Sequence, residues 1–145
     1  MDDAQRRARA RRTIEAALER VLAHDMAGFA ALWAPEGTMS FPFAAPGSPE
    51  RLEGRDAVAA YVAGYNDLLL PSALTEQTWH DTGDPDTVVL EFAMAGTAAS
   101  TGSAYSLRYV SVVTVGDDGI MAYRDYWSPA HAAGVIGAPG LQVSP

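Results

Sequence analysis

The chain has 145 residues and a formal net charge of −8, with 48% apolar and 19% charged residues. A domain of this size buries roughly 70% of the surface of its unfolded chain, so it can fold without metal or disulfide support, and the composition excludes a disordered polymer. There is no cysteine, which removes disulfide frameworks, thiolate metal sites and thiol nucleophiles, and no uncharged apolar run approaches the ~18 residues of a membrane span.

All ten basic residues are arginine, and Arg6, Arg7, Arg9, Arg11 and Arg12 fall in the first twelve positions; the remainder sets five arginines against sixteen acids. Nucleic-acid recognition needs a basic surface, and this body is acidic. Residues 1–12 therefore read as a flexible, solvated, arginine-rich start. It lacks the apolar core of a signal peptide, and a cytoplasmic protein is expected.

Ile14, Ala17, Leu18, Val21 and Leu22 recur at helical spacing. Asp25 caps a second, short helix carrying Met26, Phe29, Leu32 and Trp33, which Pro35 and Gly37 end. Residues 38–43 read as a small strand, and a Pro/Gly loop follows. Gly54 and Asp56 introduce a third helix with Val58, Tyr61, Val62, Tyr65 and Leu69 on one side, stopped by Pro71. The rest reads as β: residues 74–80, 88–96, 104–115 and 120–127, with turns at Asp84-Pro85-Asp86 and Gly116-Asp117-Asp118-Gly119. Residues 129–145 read as an irregular tail. Helices followed by strands indicate an α+β fold in one domain spanning 1–145. Val88, Leu90, Phe92 and Met94 alternate with Val89, Glu91 and Ala93, so both faces of that strand are largely apolar. A homodimer through the sheet face is the expected cover for the second one.

Four stretches together resemble the nuclear-transport-factor-2-like superfamily, in its SnoaL-like and PhzA/PhzB-like branch. They are Asp25 to Trp33, Arg51 to Tyr61, Asp84-Pro85-Asp86 before Val88-Val89-Leu90-Glu91, and Gly119 to Pro129. The resemblance runs from about Ile14 to Val143. It implies a cone, with a curved antiparallel sheet wrapped on three N-terminal helices and a pocket at the wide end. The superfamily includes ketosteroid isomerases, polyketide cyclases, epoxide hydrolases, dehydratases and plain binding proteins, so fold alone does not choose a reaction.

Asp125 is the first candidate for chemistry. It interrupts the aromatic strand Tyr123-Arg124-Asp125-Tyr126-Trp127, where aspartate is costly to bury, and alternation puts Tyr123, Asp125 and Trp127 on one face. A carboxyl in an apolar pocket has a raised pKa and can take and return a proton near neutral pH; the structural alternative is a buried ion pair with Arg124 or Arg108. The resemblance favours the first, because the same segment carries an acid/base glutamate in PhzA/PhzB proteins and a catalytic aspartate in limonene-type epoxide hydrolases. A two-residue hairpin turn puts Arg108 on the face of Asp125, while a three-residue loop reverses this. Arg108 can then assist Asp125 or hold an anionic group, or it pairs with an acid at a dimer interface. Glu91 joins Arg108 and Asp125 in a Glu-Arg-Asp cluster, or lies at the surface or interface. His80 matches the region of a functional histidine in PhzA/PhzB proteins.

Among the aromatics, Trp33, Phe41, Tyr65, Tyr109, Tyr123 and Trp127 are candidates to line a pocket for a ring-bearing or polyene molecule, and Tyr65 or Tyr109 can donate to an enolate oxygen. Neither the scattered histidines nor the hairpin glycines make a metal or phosphate motif, so no metal or other cofactor is expected. The reading is a cofactor-independent acid/base enzyme, a cyclase, isomerase or condensation catalyst, acting on a polyketide-like or phenazine-like intermediate. Two alternatives stay open: epoxide opening by a Glu-Arg-Asp cluster, and a non-catalytic binding or interaction domain.

Overall fold

The computed structural model describes residues 1–136. Helix α1 (Asp3–Leu22) opens on a capping box: the Asp2 side chain accepts from the Gln5 backbone N–H at 2.8 Å, and the Gln5 side chain accepts from the Asp2 N–H at 2.9 Å. The arginine-rich start is therefore the first three turns of α1 and not a flexible end. Acids in two hairpin turns hold it there. Arg6 makes a forked pair with Asp86 at 2.9 and 2.7 Å, Arg9 reaches Asp117 at 2.7 Å, and Arg7 donates to the Thr82 carbonyl at 2.7 Å.

Helix α2 (Met26–Ala30), capped by Asp25, stops before Trp33, which instead begins strand β1 (Trp33–Ser40). Pro35 and Gly37 form an irregularity within this strand; its parallel register with the last strand jumps between Trp33↔Ile120 and Thr38↔Ala122. A side chain at Gly37 would run into the Ile120 carbonyl, so only glycine lets the strands approach. A short strand β2 (Arg51–Glu53), absent from the expected elements, pairs antiparallel with β1.

Helix α3 (Arg55–Val62) is shorter than the sequence pattern suggests. A 3₁₀ turn at Tyr65–Asp67 carries the chain into β3 (Leu69–Asp81), so Leu69 is a strand residue. Pro71 does not delay that strand because β3 is an edge, where proline's missing N–H costs little. Strands β4 (Thr87–Ala98), β5 (Ala104–Gly116) and β6 (Gly119–Tyr126) follow as antiparallel neighbours, giving the sheet order β2-β1-β6-β5-β4-β3. The final described element is a helix, α4 (Pro129–Ile136), in place of an irregular tail; the rest of the expected tail lies outside the described residues.

The helices cover one face of this sheet, and the core lies between them. Its largest fully buried side chains include Trp33, Phe29, Phe41, Ile14, Met39 and Leu90. Gly119 closes the β5–β6 turn at φ +120°, and a Cβ there would strike the Leu32 carbonyl, whose oxygen accepts from Ile120 N–H at 2.9 Å. The Gly119→Ala protein should lose about 2 kcal/mol or more of unfolding free energy from backbone strain and this clash, read by urea denaturation. An unchanged midpoint would contradict the tight turn.

Candidate active site

One extra residue decides what surrounds Asp125. The turn residues Asp117 and Asp118 separate Gly116 from its partner Gly119, and Val115 faces Ile120. Thr114 then faces Ala122, leaving Met121 unpaired as a bulge. Without the bulge, Asp125 would stand opposite an even-numbered residue of β5. With it, Asp125 stands directly opposite Ser111, and the odd-numbered row of β5 (Tyr105, Leu107, Tyr109, Ser111, Val113) shares its face.

That face is the inner one. Asp125 has no exposed surface, and neither carboxylate oxygen has a hydrogen-bond partner within the described chain. Burial pushes its carboxyl well above the usual carboxylate range. The hydroxyls of Tyr65, Tyr105 and Tyr109 are also buried. They are close enough to influence one another electrostatically, yet none reaches acceptable hydrogen-bond geometry. Burial pushes the Tyr105 phenol up to about 12, and raises those of Tyr65 and Tyr109 as well, with Asp125 contributing to both. All three therefore remain protonated donors at neutral pH. Tyr123 differs, since its hydroxyl accepts from Ser111 Oγ at 2.9 Å, and its ring stacks on Trp33 at 5.5 Å between centroids. Phe41 meets Trp127 edge to face at 5.5 Å.

The candidate residues thus divide between two faces. Asp125, Trp33, Phe41, Tyr65, Tyr109, Tyr123 and Trp127 are all buried on the inner side. His80, Glu91 and Arg108 are not with them. They stand exposed on the outer face, where His80 Nε2 lies 2.6 Å from Glu91 and Arg108 pairs with Glu76 at 2.7 Å across β4. Assistance to Asp125 from these three, and the Glu-Arg-Asp cluster of an epoxide-opening site, are therefore ruled out by the Met121 bulge, which turns the even-numbered residues of β5 outward. A buried ion pair is excluded too, because strand alternation turns Arg124 outward and the bulge turns Arg108 outward. Tyr105 and Ser111 join the inner group without having been singled out in the sequence. The signal for Ser111 is a lone hydroxyl on the buried row of Tyr109, Ser111 and Val113.

An open depression of about 600 Å³ lies on the outer face and not at Asp125. Phe43, Glu76, Thr78, Glu91, Arg108, Val110 and Tyr126 line it, and the inner residues Tyr109 and Trp127 contribute to its wall. Among the described residues no cluster of three or more histidine, aspartate or glutamate side chains is arranged to hold a metal ion, and no helix is long and apolar enough to cross a membrane.

Comparison with known proteins adds to this geometry. The model of the SnoaL-like domain matches residues 14–132. The protein YesE of Bacillus subtilis (strain 168), itself uncharacterised, is 35% identical over 122 residues, covering 84% of this chain and 83% of YesE. The uncharacterised PhzA/B-like protein PA3332 of Pseudomonas aeruginosa is 34% identical over 113 residues, covering 78% of this chain and 79% of that protein. A crystal structure of a Bacillus subtilis protein described as a candidate isomerase superposes with a TM-score of 0.87 at 31% identity, covering 99% of this chain and all of that one.

The raised Asp125 pKa has a direct consequence for stability. The folded state holds this proton more tightly than the unfolded chain does, so folding is progressively penalised as pH rises above the ordinary carboxyl range of about 4. Asparagine at this position cannot ionise. Relative to the parent, the Asp125→Asn protein should gain stability with increasing pH, by up to about 1.4 kcal/mol per unit until the folded pKa is passed. Below pH 4 the two curves should run parallel. Urea denaturation from pH 3.5 to 8 checks this, and a difference independent of pH would show that Asp125 ionises normally.

Proposed function

The chain belongs to the SnoaL-like family of the nuclear-transport-factor-2-like superfamily, and on that premise we propose that it is a cofactor-independent acid/base enzyme. It moves a proton at a carbon next to a carbonyl in a ring-bearing metabolite, as a cyclisation, isomerisation or condensation requires. One observation carries the reading: the Asp125 carboxyl is wholly buried, unpaired and close enough to Tyr65 and Tyr109 to act on their phenols. A native fold seldom leaves so many buried oxygens unsatisfied without a functional reason.

The chemistry follows from the two shifts. Raising the pKa of Asp125 makes its conjugate base stronger, and so better matched to a weakly acidic C–H proton. Once Asp125 has given up its own proton to solvent, its carboxylate accepts the C–H proton, and the bound carbonyl compound becomes an enolate. The phenols of Tyr65 and Tyr109 donate to its oxygen, which they do well because burial keeps them protonated and water is excluded. Asp125 then returns the proton to another atom of the same molecule. Similarity to a PhzA/B-like protein supports a substrate from secondary metabolism.

A specific observation favours a second reading, in which the chain binds its ligand without chemistry: Asp125 exposes no surface, so a reactant reaches it only when the covering side chains part. Proton exchange separates the two. In D₂O the protein should catalyse deuterium uptake next to the carbonyl of cyclic ketones such as 1-tetralone, read by NMR. The Asp125→Asn protein should lose at least a hundredfold of that rate. Equal exchange by parent and variant would favour the binder.

The outer face supports a homodimer as part of the same proposal. Val89, Val110, Val112 and Tyr126 are only partly covered there, and Phe43 is 60% exposed against Tyr126. On this view the His80–Glu91 and Arg108–Glu76 pairs belong to an interface. The parent should have twice the 15.3 kDa chain mass by light scattering, and the Val112→Glu protein the mass of one chain. A monomeric parent would contradict the dimer.

A further inference from the structure

Apart from aromatic residues, two polar side chains are fully buried among the described residues, Asp125 and Ser111. They face each other across β5 and β6. Partners placed this way hold their Cβ atoms about 4.5–5.5 Å apart, within reach of a serine hydroxyl and an aspartate carboxyl. The two nevertheless do not bond. Ser111 Oγ donates to the Tyr123 hydroxyl at 2.9 Å, and both Asp125 oxygens are left without a partner within the described chain. The serine thus bonds its diagonal neighbour and passes over the one it faces.

That choice suits a neutral acid and not an ionised one. Hydrogen bonds to a charged acceptor are roughly twice as strong as neutral ones, so loss of the Asp125 proton reverses the preference of Ser111. The move is short, because serine χ1 has three staggered wells and one rotation re-aims Oγ. Tyr123 accepts in the resting bond, and its own O–H can afterwards donate to the serine oxygen, since each hydroxyl both donates and accepts. The tyrosines are less mobile: a phenol oxygen moves only with its ring, and the Tyr109 ring is stacked on Phe92 at 5.0 Å between centroids. The titratable groups that feel the Asp125 charge are Tyr65, Tyr109 and Tyr123. The helices turn Ile14, Leu18, Phe29 and Val58 into the core and bury no charged side chain there, while Arg108 and Arg124 stand exposed on the outer face.

We propose that Ser111 is a positioning residue: its hydroxyl turns from Tyr123 to Asp125 when the carboxyl gives up its proton, and it aims the carboxylate at the C–H to be attacked. No proton passes between the two. The serine keeps its own and changes acceptor, with Tyr123 donating to it from behind. The inference rests on the reading of Asp125 as the base, and it supplies what that reading lacks, a group that stabilises a carboxylate in a dry site with no cation beside it.

Carbon-13 NMR of the Asp125 carboxyl, with no ligand added, tests the serine apart from catalysis. Ser111→Ala removes the donor and should raise the Asp125 pKa by about one unit, a tenfold loss of ionisation. Ser111→Cys, close in size but with a weak S–H donor, should raise it in the same direction. Ser111→Thr keeps the hydroxyl and should titrate close to the parent. Deuterium exchange into 1-tetralone should follow suit. In the Ser111→Ala protein its pH midpoint should rise by the same unit, while the plateau rate above it stays within about threefold of the parent. A serine that only fills space would lower the plateau and leave the midpoint in place. An Asp125 titration unmoved by Ser111→Ala and Ser111→Cys overturns the inference, as does one moved equally by Ser111→Thr. If the alanine protein does not fold, the cysteine protein decides by the same reading. Failure of the catalyst is separate. If Ser111→Ala raises the pKa but the parent exchanges no proton, the serine's role stands and the enzyme falls. If Asp125→Asn abolishes exchange while Ser111→Ala leaves the titration unmoved, the enzyme stands and the role of the serine falls.

Discussion

A single unpaired residue, Met121, governs the character of the inner face. The β5–β6 turn alone would place Asp125 opposite Val110, in the row that holds Arg108 and neighbours Glu91. An aspartate in that company would be an ordinary ionised member of a charged cluster. The bulge slides the register by one, and because strand side chains alternate, every neighbour of Asp125 changes at once. Serine and tyrosines replace arginine. A carboxyl that a guanidinium would have held low is instead pushed up by burial.

The rest of the architecture works to keep that face closed. Helix α1 lies over strands β3, β4 and β5, and its arginines engage Asp86 and Asp117 at the far turns. The forked, partly buried Arg6–Asp86 pair contributes more than an exposed one because it is less screened, whereas Asp117 is open to solvent. Gly37, Gly96 and Gly119 let backbones approach where any side chain would collide, so the edge of the sheet folds tightly against its neighbours. Water is thereby kept from the tyrosine hydroxyls, which is what turns a weakly polar group of side chains into a strong one.

Much of this is legible in the chain, and the failures share a cause. Alternation in Tyr123-Arg124-Asp125-Tyr126-Trp127 gives the face of Asp125 correctly, because within one strand the period of two is enforced by covalent geometry. What one strand faces on the next depends on register, and no residue type announces the bulge at Met121. His80, Glu91 and Arg108 are therefore candidates by residue type that register sends to the other side. The arginine run reads as a solvated end because its partners, Asp86 and Asp117, lie about eighty or more residues away in sequence. Pro71 reads as a boundary because proline is excluded from central strands, and only topology shows that β3 is an edge. Local chemistry is readable, whereas contacts closed over long loops are not.

The proposed chemistry depends on the protonation of one carboxyl. Carbon-13 NMR of protein labelled at the aspartate side-chain carboxyls reads it directly. One resonance should still show the chemical shift of a neutral acid at pH 5, titrate above all the other aspartates, and be missing from the Asp125→Asn spectrum. If every aspartate carboxyl in the parent is ionised by pH 5, burial does not raise the Asp125 pKa and the account of it as a strengthened base fails.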